Sequence, residues 1–116
     1  VQFYHKFSTR TMKGITYAIP DISLESMLKV MLSYASNPQK QFISFGKAVT
    51  HPKDQFCRKV GNEVAKANSE LVEVLGVQYS YQDNECNFII TLKDSTILLL
   101  TGRFDKPNLH LIKVAE

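Results

Sequence analysis

The last third of the chain leaves the fewest choices of fold. Val77, Tyr79 and Tyr81 alternate with Gln78, Ser80 and Gln82, the period-two pattern of a half-exposed strand. Asp83-Asn84-Glu85 then turns the chain, and Phe88, Ile90 and Leu92 share one face of the next run. Asp94-Ser95 makes a tight hairpin. Ile97-Leu98-Leu99-Leu100 is apolar on both faces, which predicts a central strand covered on both sides. Asp105-Lys106-Pro107-Asn108 turns again, and Leu109 to Val114 closes the series. Connections this short join antiparallel neighbours. Residues 74–114 are therefore expected to form a four-stranded antiparallel meander.

The rest of the chain predicts two helices and short N-terminal strands. Phe3, His5 and Phe7 share one face of a first short strand, and Ile15–Ile19 reads as a second. After Pro20-Asp21, Ser23 is placed to cap a helix with its hydroxyl. Leu24, Met27, Leu28, Met31, Leu32 and Ala35 follow as one apolar stripe at helical spacing, ending at Asn37-Pro38. Gln41–Val49 reads as a strand, and Gly46 within it suggests a bulge or the close approach of another backbone. A second helix is expected from Pro52 to Asn68. Gly61 beside its apolar stripe would let it sit close on a sheet. The class is α+β, with two helices covering the C-terminal meander.

The chain of 116 residues is one domain's worth, and its 44% hydrophobic and 22% charged residues fit a folded globular protein. Two cysteines, Cys57 and Cys86, make no disulfide framework, and three widely spaced histidines give no zinc-site spacing. No metal or cofactor is expected. No apolar run approaches a membrane span, and residues 1–6 lack a signal-peptide layout. A soluble, intracellular protein with no membrane contact is expected. The net charge is +3, but unevenly placed. Residues 1–66 carry ten Lys and Arg against four Asp and Glu, a net +6, and the remainder is net −3. A basic half can face an anionic partner.

One segment stands out. Lys47, His51, Lys53, Arg58 and Lys59 fall close together around the expected helix start at Pro52. A helix start offers free N–H groups and the positive end of the macrodipole, so backbone amides could hold a phosphate with Arg58 or Lys53 closing over it. Asp54 competes for the same amides as an internal cap. The run from Ala48 to Ala65, AVTHPKDQFCRKVGNEVA, resembles a segment of small phage-encoded accessory proteins, in which a strand passes through a Pro-x-Asp-x-Phe step into a helix with a Gly one turn on. That helix tends to be more basic after the Gly, whereas Asn62-Glu63 follow Gly61 here. The resemblance implies a non-enzymatic protein that acts by binding, including against host defences, in the host cytoplasm.

No GxSxG, HExxH or Cys-His constellation is present, so no catalytic residue is assigned. Tyr79, Tyr81 and Phe88 could stack bases, but Gln, Ser and an acidic turn surround them, and the face beneath the helices suits them better. The leading expectation is a binding protein that sequesters a phosphate-bearing ligand or blocks a host protein. The alternative is a nucleic-acid-binding regulator using the basic N-terminal half. The short aromatic first strand further suggests a homo-oligomer, most simply a symmetric dimer.

Overall fold

Seven strands and two helices follow one another along the chain: β1 (Gln2–Ser8), β2 (Lys13–Ile19), α1 (Leu24–Ser36), β3 (Gln41–Val49), α2 (Arg58–Ala67), β4 (Glu70–Gln82), β5 (Glu85–Leu92), β6 (Ile97–Arg103) and β7 (His110–Ala115). This is a computed structural model, and it describes all residues except 9, 11–12, 37–39 and 51–56. The strands form one sheet in the order β1 to β7, every neighbouring pair antiparallel. The sheet curls until its first and last strands meet. There the Gln2 amide substitutes for a strand ladder: Nε2 donates to the Leu109 carbonyl at 2.9 Å, and Oε1 accepts from the Leu111 N–H at 3.0 Å. A second seam lies alongside. Leu24 N–H donates to the Pro107 carbonyl at 2.8 Å, and Leu109 N–H to the Ile22 carbonyl at 2.9 Å.

The four-stranded meander is thus corrected to a nearly barrel-shaped sheet of seven strands. The β4–β7 hairpins are present as expected. What differs is that β1, β2 and β3 extend the same sheet. Neither intervening helix interrupts it, because each lies against a face. α1 turns one side to the inner core, where Met27 is buried in one cluster with Tyr17, Phe45, Phe88 and Leu98, and leaves Glu25, Lys29 and Leu32 exposed. α2 lies outside, over β2 and β3, where Ala18, Ala48 and Ala65 meet. A curled sheet has two faces to cover, and the two helices take one each.

Strand alternation accounts for the inner core. Cys86, Phe88, Ile90 and Leu92 of β5 and Leu98 and Leu100 of β6 are fully buried there. Cys57 is exposed, and both cysteines are free thiols. The expectation that Ile97–Leu100 is covered on both sides fails. α2 packs on β2 and β3, leaving Ile97 40% exposed and Leu99 half-buried on the outer face. The tyrosines divide as well: Tyr79 is half-buried against Phe88, whereas Tyr81 is 68% exposed, near the end of the β4–β5 hairpin.

Local signals set the helices. The Ser23 hydroxyl accepts from the Ser26 N–H at 3.1 Å, the cap read from the sequence. α2 begins at Arg58, not Pro52: Cys57 before it is extended, with φ −129° and ψ 117°. Gly61 lies directly over the Thr16 side chain, and Gly46 over the Ala65 carbonyl, so a Cβ at either would clash. These close approaches bring helix and sheet together. Leu98→Ala is expected to cost ~2–5 kcal/mol in urea unfolding, with Leu99→Ala markedly milder. Gly61→Ala would gain ~1 kcal/mol from helix propensity alone. It is nevertheless expected to destabilise, because the new methyl meets Thr16, which is fully buried.

Candidate functional site: a basic rim at one end of the barrel

The direction of α2 decides what gathers at this end. Gly61 lies over Thr16, and Ala65 over Gly46, which pairs with Ala18. The helix therefore points its N-terminus toward the start of β2 and the tip of the β1–β2 hairpin. Thr50 N–H donates to the Gly14 carbonyl at 2.8 Å, holding the chain after β3 at the same end. Lys6, Arg10 and Lys13 of the hairpin and Arg58 and Lys59 of α2 are all exposed. Alternation places Lys6 with Tyr4, and Lys13 with Ile15, on the inner side of the rim, while α2 presents its cations on the outer side.

His5 lies on the outer face of this arrangement, on the side of α2. Its Nδ1 lies 3.1 Å from Thr16 Oγ1, beneath the start of α2. Burial and then the nearby Arg58 charge hold the imidazole pKa below its ordinary value of 6.5. The neutral ring is favoured in the fold, so stability is full above that value and is lost as pH falls through 6.5 toward the depressed pKa.

The five residues singled out in the sequence separate. Arg58 and Lys59 form the outer part of the rim. Lys47 does not join them, because it shares the inner face with Phe45. There its ammonium donates to Glu116 Oε1 at 2.8 Å and Oε2 at 2.9 Å. Tyr17 also donates to Glu116 Oε2 at 2.9 Å. Burial alone would raise the Glu116 carboxyl pKa, but the hydrogen bonds from Lys47 and Tyr17 outweigh it and lower it. Burial, then the bond to Glu116, pushes the Tyr17 hydroxyl well up. His51 and Lys53, with Pro52 and Asp54, lie outside the described residues. A helix start at Pro52 with Arg58 one turn on is replaced by Arg58 in the first helical position.

Sequence reading missed Lys6, Arg10 and Lys13. Their signal was available: residues 1–20 contain no Asp or Glu. Among the described residues, no group of three His, Cys, Asp or Glu could hold a metal, and no helix is long and apolar enough to cross a membrane. The chain matches no family model, no curated protein and no solved structure.

The Lys47–Glu116–Tyr17 cluster makes a separate expectation for pH. Because the Glu116 pKa is lowered, its contribution is present above the ordinary carboxylate value of 4.5 and lost as pH falls through the depressed one. Glu116→Gln should flatten the part of the acid limb below pH 4.5, measured by thermal melts across pH, and leave untouched the loss that His5 causes just below pH 6.5.

Proposed function

We propose that this is a binding protein, not an enzyme, and that its basic rim takes a phosphate-bearing polyanion, the backbone of a nucleic acid. The observation that carries this reading is the gathering of Lys6, Arg10, Lys13, Arg58 and Lys59 around one end of the barrel, all exposed. Two physical points support it. The first turn of α2 contains Arg58 and Lys59 and no acid, and the Cys57 cap makes no side-chain hydrogen bond. Cations there oppose the macrodipole, an arrangement that costs ~0.3–1 kcal/mol per charge in a helix serving stability alone. The same arrangement strengthens the attraction for an anion. The cations also lie on both sides of the sheet, so they do not converge on one small phosphate. An extended backbone meets them in succession.

The likeness of residues 48–65 to phage accessory proteins supports binding over catalysis, and interference with host defence is one use such a rim would serve. Affinity for a short single strand should fall with salt at a log–log slope of ~−0.7 for each phosphate contacted. Charge reversal by Arg58→Glu with Lys59→Glu should remove about two contacts' worth of that slope, with a melting temperature that is held or raised, since acids suit a helix start. Binding at Arg58 should also raise the His5 pKa toward its ordinary value, seen by NMR titration of the ring. Salt-independent binding, or an unchanged slope in the double variant, counts against the proposal.

A further inference from the structure

The wall of the barrel has a gap. The β2–β3 ladder joins only Ile15–Ala18 to Gly46–Val49. Beyond it the chain leaves through Pro20 and Ile22 to bond with Pro107 and Leu109 across the seam. Gln41–Phe45 of β3 pair with β4, and no described strand pairs with them on the other side. α1 spans this opening, leaving a cleft of about 210 Å³ beneath it. Ile43 and Ile90 of the core line it from the sheet, and Met27 and Val30 from the helix. Ser26, Gln41 and Ser44 supply polar side chains, and among the described residues no charged side chain lines it.

The cleft opens to solvent beside the exposed Phe42 and reaches the fully buried Ile90. Water against its apolar side, made by Met27, Val30, Ile43 and Ile90, lacks the two to four polar partners it needs. An apolar cavity of ~150 Å³ takes benzene. The space here holds one ring with a substituent, or a small fused pair. Met27 and Ser26 favour a ring with a hydrogen-bond donor over a plain alkyl chain, because thioether sulfur attracts aromatic edges and the Ser26 hydroxyl, which already donates to the Ser23 carbonyl at 3.0 Å, can still accept one hydrogen bond. The absence of a lining charge selects against ions, whose desolvation would go uncompensated.

We propose that the cleft under α1 is a binding site for a small neutral aromatic molecule carrying one hydrogen-bonding group. It is independent of the basic rim. The chain contains no Trp, so indole serves as its own fluorescent probe. Indole emission, excited where tyrosine does not absorb, should shift to the blue and saturate on titration with the full chain. Indole-3-acetate, which adds a charge, should bind about tenfold or more weakly. Val30→Phe and Val77→Phe should each fill the cleft and weaken indole binding by about tenfold while far-ultraviolet dichroism is retained. A rim variant, Lys59→Glu, should bind indole normally. Amide shifts in the wild-type chain give a readout that needs no variant: they should concentrate on residues 26–30 and 41–44. An absent or non-saturating emission shift, equal affinity in a folded filled variant, or amide shifts centred elsewhere would overturn the assignment.

Discussion

The architecture depends on a side-chain amide. A curled sheet must either close or leave two edges of unpaired N–H and C=O groups exposed, and such edges recruit other chains. Here the first and last strands come together without a continuous backbone ladder. Gln2 reaches across and satisfies one carbonyl and one N–H of the segment around β7. The backbone bonds between Ile22, Leu24 and Pro107–Leu109 reinforce the closure. With both seams in place, the inner faces of seven strands converge on one core, and α1 is held against it.

The outer face is organised differently, by the absence of side chains. Gly46, Ala48, Ala18, Gly61 and Ala65 let α2 lie almost on the backbone of β2 and β3. Larger residues there would lift the helix and move its first turn away from His5 and the hairpin tip. The position of Arg58 and Lys59 relative to Lys6, Arg10 and Lys13 is therefore a consequence of small residues that carry no charge themselves. Packing fixes the electrostatics.

Much of this was legible in the sequence wherever one local rule acted alone. The alternation in β5, the Ser23 cap and the close-packing glycines Gly46 and Gly61 could all be read from their neighbours. The joining of β1–β3 to the C-terminal strands could not, because β3 and β4 pair across an inserted helix and only the tertiary curl shows that α2 goes outside. Lys47 illustrates a different loss. It is near Arg58 in sequence, yet strand parity sends it with Phe45 to the opposite face, where Glu116 takes it. Lys6, Arg10 and Lys13 were passed over because they lie in and between two runs that periodicity marked only as short strands. Their proximity to α2 comes from helix direction, which a sequence does not print.

The order of strands has a kinetic side. Each strand pairs with its neighbour in the chain, so every ladder closes a short or moderate loop, the longest being residues 20–40 and 50–69, which carry the helices. Loop-closure entropy is correspondingly modest, and such local pairings are the ones that form early. The seam is the exception, since Gln2 meets residues separated from it by 107 and 109 positions. Closure thus has to wait for the meander that brings the ends together. Parting the barrel at Gln2 would break two side-chain hydrogen bonds and leave every ladder between neighbouring strands formed.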